Sequence, residues 1–371
     1  MSYAVVPVAN RRGLGDFLRL PFRLYRGDPL WVPPVASEVG RTLDADRNPY
    51  FAGAALRLFV CYRDGAPVAR LSVAVNPAHE RAFGVRTGFF GFFESENDGE
   101  AARRLFGEAE AFCRARGATV LEGPFNPHHY SELGLQVDRF GTAPTFFQPY
   151  NPAYYAELLE GAGFRASVRL QTMANDDAAN DLGRRFGALV AAGCRNGFTV
   201  RPFSLRDRAR DMEIMREVNN DAFAANWHFL PLSREEYTFS AKHMGLVTRP
   251  DLVKFVEHRG RPVAVLHCVL DVNPLLRRWR GAAGPLKLAR FMIERRTVRT
   301  IVLFTVAIRE GYRRSYVSQL LLAEFCRMAR DFERAETTWL SPDNRPALRP
   351  AESLGMRPDK RFAVFAKELG I

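Results

Sequence analysis

The sequence predicts an α/β protein of mixed sheets in which one folding unit occurs twice along the chain. Three observations carry that prediction. Segments of matching pattern recur in the same order about 195 residues apart. Each half alternates short β-rich runs with amphipathic helical stretches, the pattern of layered α/β domains. The 371 residues are ample for two domains and long for one.

The repeat can be followed element by element. Leu58 to Ala69 is β-rich and broken by Gly65-Ala-Pro67, and it answers to Lys254 to Ala264, broken by Gly260-Arg-Pro262. Both predict strand, turn, strand. Upstream, Trp31-Val-Pro-Pro34 answers to Trp227 to Pro231. Downstream, Phe112-Cys-Arg114 answers to Phe325-Cys-Arg327, and Asn151 to Phe164 answers to Asn344 to Met356. The spacing between echoes changes along the chain, which puts extra residues near 123–150 in the first copy and near 272–299 in the second. A shared scaffold does not need such additions, so function concentrates there.

Each copy therefore reads as strand, one or two helices, three strands, helix, strand, helix, strand. In the second copy, Phe198–Phe203 is the first strand and Arg206 to about Ala225 an amphipathic helix. Ile301–Ile308 is a buried strand and Val317–Arg330 a helix with Leu320, Leu321, Phe325 and Met328 on one face. Thr337–Leu340 and Phe362–Phe365 close the order. Asn180–Ala192 reads as a connecting helix, which places the boundary near 195 and the two domains at 1–195 and 196–371.

Composition narrows the class. Apolar residues make up 47% and charged residues 25%, the balance of a globular protein with a real core. No run approaches the roughly 18 apolar residues of a membrane span, and the first residues do not read as a signal peptide. A cytoplasmic protein is expected. Cys61, Cys113, Cys194, Cys268 and Cys326 are scattered and form no metal or redox motif, so they read as buried, reduced thiols and no metal site is expected. The net charge of +12 favours an anionic partner: a phosphate-rich cofactor, an acidic carrier protein, anionic lipid or nucleic acid. Nucleic acid is disfavoured because no recognition motif or basic repeat is present.

The element order, together with Asn344-x-x-Ala347 and Glu352-x-Leu354-Gly355-Met356 ahead of the last strand, resembles the GNAT superfamily of acyl-CoA N-acyltransferases. Along its whole length the chain resembles a family of bacterial tandem-GNAT proteins. The residues carrying that likeness are Gly88-Phe-Phe-Gly-Phe-Phe-Glu-Ser95, Gly123-Pro-Phe-Asn-Pro127 and Pro149-Tyr-Asn-Pro-x-Tyr-Tyr155. Proteins of this build are also similar to the bacterial ceramide synthases. The resemblance implies two GNAT-type domains in tandem, an acyl-CoA or acyl carrier protein donor, and transfer of the acyl group to an amine. A lipid-like or hydrophobic acceptor such as a sphingoid base is favoured. The alternatives are a catalytically degenerate ligand-binding protein and an acetyltransferase for a polar amine.

The resemblance also assigns roles. Enzymes of this superfamily hold the pyrophosphate of coenzyme A on backbone N–H groups at a helix start, with the pattern Arg/Gln-x-x-Gly-x-Gly/Ala. The matching residues are Arg313, Arg314, Ser315, Tyr316, Val317 and Ser318; Tyr316 and Ser318 replace the small residues. The first copy carries Ser95-Glu-Asn-Asp-Gly-Glu100, whose three carboxylates repel an anion, so the second copy is the expected donor site. The thioester carbonyl is expected at backbone N–H groups near Val306 to Ile308, with Asn344 also at the cofactor. The superfamily's acid, a Tyr four residues before the motif glycine, is Ala351 here and Leu159 in the first copy, so a proton must reach the leaving thiolate from water or another residue.

Three further residues are candidates for proton transfer. His129 and Glu132 lie in the first copy's insertion, beside His128, where titratable groups are densest; a loop that only stabilises a turn is the competing reading. His228 lies in the loop that shapes the acceptor pocket in the superfamily, although its neighbours Trp227 and Phe229 fit a packing role equally well. His79, His243, His258 and His267 read as structural or solvated. Finally, Arg277 to Arg299 holds eight basic residues and one acid, Glu294. From Pro285 it forms an amphipathic helix with Leu286, Ala289, Met292 and Ile293 on one face. Such a helix either packs on its own domain or lies on an anionic membrane, which would place the protein at the inner leaflet.

Overall fold

The computed structural model describes residues 1–127, 131–177, 196–242, 244–280 and 284–370. Along the first half run β1 (Tyr3–Pro7), α1 (Arg11–Leu24), α2 (Ala36–Thr42), β2 (Ala55–Arg63), β3 (Ala66–Val75), α3 (Pro77–Phe83), β4 (Thr87–Ser95), α4 (Gly99–Arg114), β5 (Val120–Gly123), β6 (Leu135–Gln136), α5 (Tyr155–Gly161) and β7 (Arg165–Asn175). The second half follows with β8 (Phe198–Pro202), α6 (Arg208–Phe223), α7 (Arg234–Ala241), α8 (Met244–Val247), β9 (Val253–His258), β10 (Arg261–Leu270), α9 (Asn273–Trp279), α10 (Pro285–Glu294), β11 (Thr300–Ile308), α11 (Val317–Ala329), β12 (Arg334–Thr337), α12 (Arg345–Ser353) and β13 (Arg357–Glu368).

The chain divides into two compact units. One holds Met1–Arg169, Leu276–Ala283 and Lys360–Ile371, the other Leu170–Leu275 and Gly284–Asp359. The division differs from a single cut near residue 195, a position that lies, like the connecting helix expected over 180–192, outside the described residues. In the first unit β1, β2, β3 and β4 are antiparallel neighbours, β5 lies parallel to β4, and β13 runs antiparallel to β5. In the second unit β8, β9, β10 and β11 are antiparallel, β12 lies parallel to β11, and β7 runs antiparallel to β12. The six strands of each unit share one order and one set of directions. Each unit takes its sixth strand from the other half of the sequence.

The cores follow the pattern of the strands. In the first unit α4 lays Leu105, Phe106, Ala109 and Cys113 on Leu71, Val73, Phe90 and Leu121. In the second, α6 lays Met215, Val218 and Ala222 on Phe255, Val265 and Ala307. Two glycines of the first unit are fixed by close approach. A Cβ at Gly123 would stand 2.2 Å from the Phe90 carbonyl oxygen, and one at Gly91 would stand 2.6 Å from that of Phe125. Those contacts press residues 123–126 onto β4, which gives a packing reason for the two glycine motifs.

One strand falls earlier than the sequence predicts. The expected Thr337–Leu340 is instead Arg334–Thr337, and Leu340 makes a single bridge to Gln171. Charges hide the strand: Glu336 is buried but ion-paired to Arg334 at 2.6 Å, and Arg334 also reaches Asp359 at 3.1 Å.

Candidate active site

In the second unit a β-bulge shapes the site. His267 pairs with Thr305 and Cys268 with Leu303, so Phe304 is the extra residue on β11. Beyond it the strand's hydrogen bonds change sides. The Arg309 N–H donates to the Val263 carbonyl on β10 at 2.9 Å, and alternation turns the N–H groups of Val306 and Ile308 to the opposite edge. β12 pairs with β11 only from Thr300 to Leu303, after which the Thr338 N–H donates to the Leu303 carbonyl at 3.2 Å. Past that point the two parallel strands part. Val306 is 42% exposed on the open side.

The helix after that edge presents its N-terminus bare. No side chain caps α11, and Tyr316, 43% exposed, stands at the cap position. Ser315 makes only a long contact, 3.4 Å, with the Val317 N–H. Unsatisfied N–H groups at the start of a helix carry partial positive charge and suit an anion. Arg314 is exposed beside them. Arg313 is engaged elsewhere, donating to the Ala222 carbonyl at 2.7 Å near the end of α6.

The first unit has the same bulge, and there the edge is closed. Arg70 pairs with Glu94 and Ser72 with Gly91, so β4 carries the extra residue, with Phe92 at φ +50°. The Phe92 N–H donates to Asn126 Oδ1 at 2.9 Å and the Ser95 N–H to the Tyr155 hydroxyl at 2.9 Å. Tyr154 donates to the Ser95 carbonyl at 2.9 Å. The start of α4 is occupied as well, because Asp98 accepts from the N–H groups of Glu100 and Ala101 at 3.1 Å. The Ser95 N–H and the start of α4, which answer to Ile308 and the start of α11, therefore have internal partners.

Behind that closed edge lies a buried polar cluster. Glu94 accepts from Tyr155 at 2.7 Å and from Tyr25 at 2.9 Å, and lies 3.8 Å from Arg70. Arg70 also donates to the Phe17 carbonyl at 2.5 Å. Burial raises the Glu94 pKa, opposed by the charge of Arg70. Glu132 is pushed up to about 7, by desolvation first and by the Glu94 charge second. The residue itself is exposed, although protein atoms crowd around its carboxylate. Asn126 reaches it at 3.5 Å.

His128, His129 and His243 lie outside the described residues. His228 is half-buried at φ +46°, its ring 4.6 Å from that of Trp227. Asn344, expected at the cofactor, caps α12 by accepting from the Ala347 N–H at 3.3 Å, because the helix start needs an acceptor. Cys61, Cys113, Cys268 and Cys326 are buried, and desolvation raises their pKa values, Cys61 to about 11, so all four are poor nucleophiles. Tyr25, Arg70, Glu94 and Tyr155 were not singled out for chemistry by sequence reasoning. The signal was present for two of them, since Glu94 and Tyr155 sit inside the motifs that carry the family likeness.

Comparison with known proteins agrees with this architecture. No family model matches the chain. Protein YghO of Escherichia coli K12 is 26% identical over 368 residues, covering 97% of this chain and 94% of that protein. The bacterial ceramide synthase of Caulobacter vibrioides is 27% identical over 375 residues, covering 99% and 97%. Among solved structures, a tandem GNAT protein from the clavulanic acid biosynthesis pathway superposes with a TM-score of 0.56 at 15% identity, covering 100% of this chain and 99% of that one. The fold is that of the tandem GNAT proteins.

Proposed function

We propose that this chain is an N-acyltransferase that takes its acyl group from an acyl-CoA bound by the second unit. One contrast carries the reading: the second unit leaves open the strand edge and helix start that the first unit fills with Asn126, Tyr154, Tyr155 and Asp98. The pyrophosphate would lie on the bare N-terminus of α11, with Arg314 adding charge. The thioester carbonyl would accept from the N–H groups of Val306 and Ile308, which stabilise the developing oxyanion. The amine nitrogen attacks that carbonyl carbon, the C–S bond breaks, and the thiolate leaves. Neither Ala351 nor Leu159 can protonate it, so its proton comes from water. The proton lost by the amine passes to water.

A hydrophobic amine such as a sphingoid base is the favoured acceptor, on the likeness to a bacterial ceramide synthase over 99% of the chain. The net charge of +12 suits either coenzyme A or an acidic acyl carrier protein. Purified protein should convert a long-chain acyl-CoA and a sphingoid base to the N-acyl product, measured by mass spectrometry. A chain that binds acyl-CoA yet acylates neither that base nor a small polar amine would be a binding protein instead. Tyr316, in place of the small residue at the anion loop, is the observation that favours this second reading.

A further inference from the structure

Among the described residues no helix is long and apolar enough to cross a membrane. Helix α10 has a different membrane character. Its ten residues span about 15 Å. Leu286 is 86% exposed, Leu288 47%, Met292 38% and Ile293 70%, a concentration of exposed large apolar side chains found nowhere else among the described residues. At 100° per residue these positions and Ala289 form one arc, while buried Phe291 points the opposite way. Phe291 is the buried side of the helix, which turns its apolar stripe outward. A helix packed on its own domain would show the reverse.

Positive charge borders the stripe. Arg290 is 67% exposed at one edge, tied to Glu294 at 2.6 Å, and the exposed Arg296 and Arg299 follow the helix. We propose that α10 is a docking helix that seats the protein on an anionic lipid bilayer, its apolar arc among the acyl chains and its arginines at the phosphates. An apolar arc with a basic margin matches an anionic interface in both of its layers. A second copy of this chain would meet the same arginines and be repelled by them. The proposal does not require the donor site, and it would give an acyltransferase access to a membrane-borne acceptor.

Co-sedimentation with phosphatidylcholine vesicles, with and without phosphatidylglycerol, tests it. Wild type should bind the anionic vesicles at least tenfold more than the neutral ones and lose that preference with added salt. Leu286→Asp with Ile293→Asp should abolish binding, and Arg290→Gln with Arg296→Gln and Arg299→Gln should remove the lipid preference. The melting temperature and coenzyme A affinity of both variants should stay at wild-type values, which separates lost docking from lost folding. Wild type that ignores anionic vesicles at low salt overturns the proposal. So does a dimer in solution that the Leu286→Asp, Ile293→Asp variant converts to monomer.

Discussion

The sequence makes Glu132 a candidate for proton transfer, and a part in catalysis would make its ionisation appear in the rate. A carboxylic acid with a pKa of about 7 is about 9% ionised at pH 6 and about 91% at pH 8, so kcat/KM should rise roughly tenfold between them. Glu132→Gln keeps the shape and the contact with Asn126 but cannot accept a proton. It should lower kcat/KM about 10²–10⁴-fold and flatten the profile across this range. Glu94→Gln supplies a sharper check. The Glu94 charge is the second cause of the raised pKa, so removing it should move the Glu132 midpoint to lower pH while a base remains. Rates measured from pH 5.5 to 8.5 with saturating donor would decide. Wild-type rate and an unchanged profile in Glu132→Gln would refute that role.

Other consequences follow from the same geometry. Arg314→Glu should weaken coenzyme A binding about tenfold, near 1.4 kcal/mol, by calorimetry, whereas Arg313→Glu should also lower the melting temperature because Arg313 holds the Ala222 carbonyl. Tyr155→Phe leaves Glu94 and the Ser95 N–H short of a partner and should cost about 1–3 kcal/mol in thermal denaturation. Gly123→Ala drives a Cβ to 2.2 Å from the Phe90 oxygen and should cost roughly 1–3 kcal/mol or more in the same assay. Burial holds the pKa of His267 down to about 4 against an ordinary 6.5, so its contribution to stability is full above pH 6.5 and lost as pH falls toward 4. Acid titration of wild type against His267→Gln should show up to about 3 kcal/mol of that loss removed.

The repeat, the element order and the two insertions are legible in the sequence because hydrophobic periodicity and turn residues are local signals. The hairpins at Gly65 and Gly260 are examples, both glycines having positive φ. Strand partnership is not local, and the last strands of two similar copies look alike, so nothing in the chain's own pattern says that β13 completes the first sheet. Arg334 and Glu336 mask a strand for a related reason, since a buried ion pair reads as surface. Val306 and Ile308 fall on the open edge because of the bulge at Phe304, which leaves no composition signal. Glu132 stands out as one titratable group in a dense loop, but its shifted ionisation comes first from desolvation in the fold and then from Glu94, 38 residues earlier in the chain. The stripe on α10 was visible, and only the fold shows which way it faces.

The proposal that one unit binds the donor while the other has closed its equivalent edge is tested most directly by a crystal structure with bound acyl-CoA. One donor per chain is expected, its pyrophosphate on the N-terminus of α11 near residues 316–318 and its thioester carbonyl within hydrogen-bond reach of the Val306 or Ile308 N–H. A pyrophosphate at the start of α4, near Asp98, or a thioester beside Ser95 would contradict it.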